Sequence, residues 1–365
     1  MRNEYIIVMN QFVNGGVENL FISISRIRNT DIFYLVILNN NVDEKKIEML
    51  PPNVKVVDCS INNKFKRFFY LSKFIKNQLK HVKIMIDFHE VLQSEIFMLA
   101  NSKHKICMHW FNSNPYMRLN RNKHDIYFKL YAFYRKTICI CESQKEILMQ
   151  VLPKLKTSQL YVSNNFIDIE SVVKKAKTDV PLNYRYIVMI SRIDFGAKDF
   201  KTVVKAFEKL PIEIKDEYKM VFVGDGPDFD KLKRLVNNSS DRNNFYLTGN
   251  QTNPYPYIKN AEIFIQSSFS EGFSLTTLEA WTIGCPVILS DFLCSARELS
   301  SNEETALIFE IGNISQLSEK MELLLKNQSL RDSLIDKGQK KCELYYREGI
   351  NSLNKLFDKG FMYEI

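Results

Sequence analysis

Two glutamates, Glu271 and Glu279, flank a segment whose other residues suit the binding of an anion. The segment reads SEGFSLTTLEA over 270–280, and a helical pattern begins within it. Carboxylates accept hydrogen bonds from hydroxyl groups, and the free N–H groups at a helix start favour negative charge. The pattern predicts a site for a nucleotide sugar, with Glu279 toward the ribose diol and Glu271 toward the second sugar. An acidic loop followed by a surface glutamate remains the structural alternative.

A pair of cations, Arg192 and Lys198, follows the apolar run Tyr186–Ser191. Arginine offers a planar fork of donors and lysine a mobile point charge, so together they suit a phosphate clamp. An arginine and a lysine this close also occur commonly in solvated loops. Their position at a strand end is what favours the functional interpretation.

Glycines and a histidine mark two strand ends nearer the start of the chain. Gly15 and Gly16 lie between the apolar run Tyr5–Met9 and a helical pattern, where a ligand is able to approach the backbone closely. A tight turn would explain the same glycines. His109 lies at the carboxyl end of the run Lys105–Trp110, and structural and functional roles are equally compatible with that position.

The elements that must position these residues alternate along the whole chain. Apolar, β-rich runs separated by helical patterns predict an α/β fold with parallel sheets covered on both faces, and two such series predict two doubly wound domains. Ligands of such sheets bind outside the carboxyl ends of the strands. The predicted strands are Tyr5–Met9, Ile32–Leu38, Val54–Asp58, Lys83–Asp87, Lys105–Trp110, Thr137–Cys141, Leu160–Ser163, Tyr186–Ser191, Lys219–Gly224, Phe245–Thr248, Ile263–Ser267, Pro286–Ser290 and Ala306–Phe309.

The domain bounds follow from a polar stretch in the middle of the chain. We expect an N-terminal domain over 1–170, a linker over 171–183 and a C-terminal domain over 184–345. The helical tail that follows, 346–365, is expected to pack back toward the N-terminal domain.

Length and composition exclude several classes of protein. The chain has 365 residues, of which 45% are hydrophobic and 25% charged, which is typical of globular domains and not of a disordered chain, a coiled coil or collagen. Its seven cysteines are odd in number and form no CxxC pair, which favours reduced thiols in a cytoplasmic protein over disulfides or a zinc site. We expect neither a signal peptide nor a membrane span.

The formal charge of +8 is unevenly distributed. Residues 1–170 carry a net charge of +9 and residues 171–365 a net charge of −1. Two basic segments with aromatic residues, 61–83 and 116–136, concentrate the excess. A basic helix with an aromatic face suits an anionic bilayer surface, and a core-facing stripe with a solvated lysine face is the alternative. The absence of any nucleic-acid-binding motif predicts that no nucleic acid is bound.

Taken together, these residues resemble the retaining GT-B glycosyltransferases of family GT4, also called glycosyl transferases group 1. The resemblance extends over nearly the whole chain. Glu271 to Glu279 resembles the family's E-x7-E motif. Other segments that match in order are 15–18, 138–148, 162–168, 191–192 with Lys198, 224–227 and 249–260. Ser191 replaces the more usual glycine, and Lys198 lies one residue farther from Arg192 than in many members.

The resemblance implies a fold and a set of residue roles. The fold is GT-B, two Rossmann-like domains facing across a cleft. The implied catalytic residues are His109, Glu271, Arg192 and Lys198. The implied donor-binding residues are Gly15, Gly16, Arg192, Lys198, Gly249, Asn250, Glu271, Gly272, Phe273, Ser274, Leu275 and Glu279.

The activity that the resemblance implies is metal-independent glycosyl transfer with retention at the anomeric carbon. The donor would be a nucleotide sugar, with UDP expected from family frequency, and the acceptor a lipid-linked or cell-envelope glycan such as a capsule, lipopolysaccharide or teichoic-type polymer. No cofactor or metal is expected. We expect the protein to lie peripherally on the inner face of the plasma membrane. A nucleotide-sugar hydrolase, a phosphorylase and a non-catalytic partner subunit remain as alternatives.

Overall fold

The computed structural model describes residues 2–13, 15–39, 41–88, 92–111, 130–180 and 182–357. The chain divides into two compact units. The first holds the residues up to Asn165 and those from Ser352 onward, and the second holds Phe166–Asn351. Each unit has a sheet and an apolar core of its own.

The first unit is built on a seven-stranded sheet of order β3-β2-β1-β4-β5-β6-β7, in which every pairing is parallel. Its inner strand β1 buries five consecutive residues from Tyr5 to Met9, as is typical of a parallel sheet covered on both faces. The strands are β1 Glu4–Met9, β2 Ile32–Ile37, β3 Val54–Val57, β4 Ile84–Asp87, β5 Ile106–Phe111, β6 Lys136–Cys139 and β7 Leu160–Val162.

The second unit is built on a six-stranded parallel sheet of order β10-β9-β8-β11-β12-β13. Strands β8 and β11 are neighbours at its centre, so the loops that follow them leave the same edge of the sheet. The strands are β8 Arg185–Ile190, β9 Tyr218–Val223, β10 Phe245–Leu247, β11 Ile263–Gln266, β12 Val287–Ser290 and β13 Leu307–Phe309.

The described helices alternate with these strands. In the first unit they are α1 Gly16–Ile27, α2 Glu44–Glu48, α3 Lys64–Gln78, α4 Leu92–Asn101 and α5 Glu142–Val151. In the second unit they are α6 Ile169–Lys175, α7 Phe200–Glu208, α8 Ile212–Glu217, α9 Phe229–Asn237, α10 Tyr255–Lys259, α11 Leu275–Ile283, α12 Ala296–Ser300, α13 Ile314–Lys326 and the greater part of α14 Gln328–Leu356.

The predicted fold class is confirmed. Each of the thirteen predicted strands is present, with ends that lie within two residues of the prediction. The agreement follows from burial, since a strand covered on both faces needs a near-continuous apolar run, and such a run is visible in the sequence.

The division between the units differs from the expected domain bounds. It falls at Asn165, and the chain returns to the first unit at Ser352. The expected linker overlaps helix α6, which packs against α10 and α11 within the second unit. Asn253 Nδ2 also donates to the carbonyl of Lys175 at 2.8 Å. These contacts place α6 in the second unit although its sequence is polar.

The end of the chain packs on the first unit through aromatic side chains. The Phe357 ring lies edge-on to Tyr5, with 4.7 Å between centroids, and the Tyr5 hydroxyl donates to the Phe357 carbonyl at 3.3 Å. Tyr161 and Ser163 bond to Ser352. Aromatic and polar contacts together therefore hold this segment on the sheet of the first unit.

All seven cysteines are free thiols, and six are buried. Burial raises the pKa of Cys342 to about 11 and that of Cys107 to about 12. Within the described part of the chain, no helix combines the length and the apolar character that crossing a bilayer requires.

Candidate functional site

Glu271 follows β11 and is held by a set of donors that converge on one of its oxygens. Oε1 accepts from Ser268 Oγ at 2.9 Å and from Gln266 Nε2 at 2.9 Å, and it pairs with the Lys198 ammonium. The side chain remains 21% exposed. The carboxylate is thus oriented by the protein and still reachable by a ligand.

Lys198 reaches Glu271 because its loop is pinned to the segment after β11. Asp199 N–H donates to the Ser267 carbonyl at 3.1 Å, and Phe269 N–H donates to the Ala197 carbonyl at 2.9 Å. The extra residue in this loop is absorbed by a tight turn, in which the Asp194 carbonyl accepts from Lys198 N–H at 2.9 Å. The longer spacing from Arg192 therefore does not remove Lys198 from the strand edge.

Arg192 follows β8 and is exposed. Among the described residues, no carboxylate pairs with its guanidinium. Its backbone is placed by close packing against the turn after β9. A Cβ on Gly224, whose φ is +137°, would lie 2.0 Å from the Ser191 carbonyl oxygen, so only glycine allows this approach. The exposed cation is thus carried on a tightly fixed backbone.

The start of α11 presents unused amides beside Glu271. Ser274 caps the helix, its Oγ accepting from Thr277 N–H at 3.3 Å. No hydrogen bond within the described chain uses the N–H groups of Phe273, Ser274 or Leu275. Gly272 precedes them, and Phe273 packs edge-on against Tyr345 at 5.4 Å. Free amides at a helix start favour a phosphate.

Glu279 lies one turn into α11 and bonds to a tyrosine from α10. The Tyr255 hydroxyl donates to Glu279 Oε1 at 3.1 Å. Burial, followed by the nearby Glu279 charge, raises the pKa of Tyr255, so its proton stays on the phenol. The Lys175 ammonium lies over the same ring at 5.8 Å. Tyr255 therefore fixes the glutamate that the sequence assigns to a ribose.

Gly249 and Asn250 follow β10 at the same edge of the sheet. Gly249 has φ +69°, a conformation that suits glycine, and its carbonyl accepts from Gly224 N–H at 3.0 Å. Asn250 is exposed. The loops after β8, β10 and β11 thus all end at one edge, as the parallel strand order requires.

His109 lies in the first unit and is fully buried near the end of β5. Its Nδ1 is 3.4 Å from Asp87 Oδ2, and its Nε2 is 3.4 Å from the Tyr131 hydroxyl. The Tyr134 hydroxyl donates to Asp87 at 3.0 Å. Burial and the Asp87 charge raise the pKa of Tyr134, so that donor keeps its proton. Both imidazole nitrogens of His109 therefore face polar groups of buried side chains.

Gly15 and Gly16 lie at the start of α1. Gly15 is the residue before the helix, and a Cβ there would lie 2.5 Å from Glu18 Oε2. Glu18 is buried, and its Oε1 accepts from Val13 N–H at 3.5 Å. Because Gly15 has no side chain, the Glu18 carboxylate has room to lie beside the start of α1.

Sequence reasoning missed the residues that hold the candidate site in place. The sequence places Gln266 and Asp87 in predicted strands and assigns no role in the site to Ser268 or Tyr255. Asp87 lies opposite His109 because β4 and β5 pair in register, which only the folded sheet shows. Gln266 ends the apolar strand β11 and Ser268 lies two residues further on. Polar side chains at such a buried position indicate hydrogen bonding to other groups of the protein.

The basic segment 61–83 forms α3, and most of 116–136 lies outside the described residues. Helix α3 buries Leu71 and Ile75 in the core, as a core-facing stripe would. Its other face exposes Phe65 by 78% and Phe69 by 71%, beside lysines. Within the described ranges no cluster of three or more His, Cys, Asp or Glu side chains is placed to hold a metal.

Curated relatives of the chain include two glycosyltransferases, and a solved structure has a similar fold. The N-acetylgalactosamine-N,N′-diacetylbacillosaminyl-diphospho-undecaprenol 4-alpha-N-acetylgalactosaminyltransferase of Campylobacter jejuni is 27% identical over 232 residues, covering 63% of this chain and 62% of that protein. The poly(glycerol-phosphate) alpha-glucosyltransferase of Bacillus subtilis is 32% identical over 179 residues, covering 49% of this chain and 26% of that protein. The alignments thus span less than two thirds of either relative.

The fold resembles that of a solved complex. Anabaena HepE, crystallised with UDP and glucose, superposes with a TM-score of 0.80 at 13% identity, covering 96% of this chain and 98% of that one. The model of the family described as glycosyl transferases group 1 matches residues 172–341, a range that contains Arg192, Lys198, Glu271 and Glu279. This range is a little under half of the chain, and over it the chain is similar to the glycosyl transferases group 1 family.

Proposed function

We propose that this protein is a retaining glycosyltransferase that moves a sugar from a UDP-sugar to a lipid-linked or cell-envelope glycan. The observation that carries the proposal is the arrangement of groups at the edge of the second unit's sheet where its strands end. There a free cation, an oriented carboxylate and unused helix amides follow adjacent parallel strands. UDP as the nucleotide is supported by the fold relative crystallised with UDP and glucose.

The donor is assigned to the second unit. Arg192, Lys198 and the amides of 273–275 bind the diphosphate, Glu279 binds the ribose hydroxyls, and Glu271 binds hydroxyls of the transferred sugar. Gly249 and Asn250 lie on the loop assigned to the base. Lys198 is bonded to Glu271 without a ligand, so in this proposal the diphosphate takes over part of that ammonium's hydrogen bonding.

The reaction breaks the bond between the anomeric carbon and the β-phosphate oxygen, and that oxygen keeps the electron pair. The acceptor hydroxyl forms the new bond on the same face of the sugar, and its proton passes to the departing phosphate. Arg192, Lys198 and the helix amides stabilise the growing negative charge. These groups supply the role that a divalent cation plays elsewhere, so no metal is required. We assign to His109 the catalytic role that the family resemblance implies.

The acceptor is assigned to the cell envelope. The names of the two relatives concern a sugar carried on diphospho-undecaprenol and a poly(glycerol phosphate). Both molecules carry phosphate groups and are anionic, which suits the +9 charge of residues 1–170. We place the reaction on the cytoplasmic side of the membrane, and Gly15 and Gly16 keep the donor-binding role that the family resemblance implies.

The outer face of α3 is proposed to rest on an anionic bilayer. Phe65 and Phe69 lie one turn apart and are exposed, and Lys73 continues the same face. Aromatic side chains at the interface and lysines near lipid phosphates favour this position.

Vesicle co-sedimentation tests the membrane assignment. Wild type should pellet with phosphatidylglycerol vesicles at low salt and not with phosphatidylcholine vesicles. The double variant Phe65→Ser, Phe69→Ser should lose most of that binding. Ile212→Ser is the matched control, because Ile212 is also an exposed apolar residue, 58% exposed, on a different unit. Equal loss in both variants would contradict the assignment.

A hydrolase or phosphorylase on the same fold would use the same donor site. Turnover of UDP-glucose, UDP-galactose and their N-acetylamino counterparts, with and without an undecaprenyl-diphosphate-linked acceptor, separates these activities. UDP release that requires the acceptor supports transfer. Release to water or to phosphate alone would replace the proposal, and no turnover with any donor would favour a non-catalytic partner subunit.

A further inference from the structure

Gln266 is the last residue of β11 and is almost completely buried, with 2% of its surface exposed. All of its side-chain polar atoms are engaged. Nε2 donates to Glu271 Oε1 at 2.9 Å and to Ser268 Oγ at 3.1 Å, and Oε1 accepts from Thr276 Oγ1 at 3.1 Å. One amide therefore connects the loop that carries Glu271 with the first turn of α11.

The bonds of this network orient Glu271 in a particular way. The donors from Gln266, Ser268 and Lys198 all meet at Oε1. Among the described residues, no hydrogen bond engages Oε2. One oxygen is thus held by the protein, and the other is left for a hydroxyl group of a ligand.

Ser268 is itself fixed, so the network does not rest on a mobile side chain. Its N–H donates to Ser290 Oγ at 2.8 Å, and the Ser290 hydroxyl donates to the Ser268 carbonyl at 2.8 Å. Ser290 ends the neighbouring strand β12 and is buried. The orientation of Glu271 therefore depends on two adjacent strands of the sheet, β11 and β12.

We propose that Gln266 is a positioning residue for sugar transfer, which holds the Glu271 carboxylate and the first turn of α11 in one hydrogen-bonded unit. This inference rests on the proposed function. It adds that the donor sugar is oriented by a buried amide that does not itself touch the donor. An amide suits this position because it donates to a carboxylate from one end and accepts from a hydroxyl at the other, and it carries no charge.

The first test replaces the amide without changing its size. Gln266→Met should lower kcat with a UDP-sugar by about 10-fold or more, because a small displacement of a positioning group is costly to transfer. The affinity for UDP should fall by less than the affinity for the UDP-sugar, because UDP contacts the helix amides but lacks the sugar that Glu271 binds. Gln316→Met is the matched control. Gln316 Oε1 accepts from the Glu310 N–H on another loop of the same unit, and this variant should keep wild-type kcat.

The second test uses pH and does not depend on Gln266→Met folding well. In Gln266→Glu a carboxylate faces Glu271 Oε1, and two carboxylates this close share one proton. The kcat of the variant relative to wild type should therefore rise as the pH falls. A role in packing alone would give a ratio that does not depend on pH.

The outcomes separate this inference from the proposed function. Wild-type kcat in Gln266→Met, or a pH-independent ratio in Gln266→Glu, would overturn the inference and leave the function intact. If wild type binds UDP-glucose but transfers no sugar, the proposed function fails. The affinity of Gln266→Met for UDP-glucose relative to UDP then still decides the inference, with a selective loss for UDP-glucose in support and an unchanged ratio against it.

Discussion

The candidate groups of the second unit and the candidate histidine of the first unit are held in opposite ways. Lys198 and Glu271 are partly exposed and bonded to each other, and Arg192 is exposed on a fixed backbone. His109 and Asp87 are fully buried and enclosed by tyrosines. An exposed charge costs little in stability and is available to a ligand, whereas a buried charge must be satisfied by the protein. Substitutions in the two units should therefore change different measured quantities.

The largest expected effect is on catalysis in the second unit. Arg192→Ala removes a cation that no described carboxylate neutralises, so it should lower kcat/KM by about 100-fold or more. The free energy of unfolding should stay within about 0.5 kcal/mol of wild type because the side chain is exposed. Arg297→Ala is the control, since Arg297 is exposed and paired with Asp291. Near-normal activity of Arg192→Ala would remove Arg192 from the site.

The next effect is on stability in the first unit. Asp87→Asn removes the charge that faces His109 and that accepts from Tyr134, at a position with no exposed surface. Denaturant unfolding should show a loss of about 1–3 kcal/mol. Asp336→Asn, at an exposed surface pair with Lys340, should cost no more than about 0.5 kcal/mol. Equal effects in the two variants would contradict the contrast between the units.

A smaller effect concerns the nucleotide. Tyr255→Phe removes only the hydroxyl that orients Glu279, so UDP should bind about 5- to 10-fold more weakly, with unchanged secondary structure. Tyr184→Phe is the matched control, because the buried Tyr184 hydroxyl makes no hydrogen bond within the described chain. Calorimetric titration with UDP measures both. A loss of affinity in Tyr184→Phe as large as that in Tyr255→Phe would assign the effect to packing.

The smallest expected effect is that of metal removal. If Arg192, Lys198 and the helix amides stabilise the leaving group, excess EDTA should leave the initial rate of sugar transfer unchanged. The comparison is made with and without added Mg²⁺ at constant ionic strength. A rate that falls with EDTA and returns with Mg²⁺ would show that the proposed cation set is incomplete.

The fold was predictable because its signals are local. Runs such as Tyr186–Ile190 are apolar throughout, and glycines such as Gly224 mark the turns that follow them. Arg192, Glu271 and Glu279 are also predicted from local signals, as charged residues at or after strand ends, and their roles stay predictions. The exact ends of strands were less predictable. A polar residue such as Gln266 ends a strand because of side-chain hydrogen bonds that form only in the folded protein.

The residues that position the site were not predictable in the same way. The bond from Gln266 to Thr276 spans the loop that holds Glu271, and the bond from Tyr255 to Glu279 joins two helices. Asp87 meets His109 only because the sheet order places β4 beside β5. Such contacts depend on non-local packing, which residue type and spacing do not specify.

The central claim is that the second unit binds the nucleotide part of the donor through Glu279 and its neighbours. Calorimetric titration of the full chain with UDP, comparing wild type with Glu279→Gln, tests it most directly. The substitution keeps the size of the side chain and removes the charge that accepts from ribose hydroxyls. We predict that wild type binds UDP and that the variant binds it at least about tenfold more weakly. Equal affinity for UDP in the two proteins would contradict the claim.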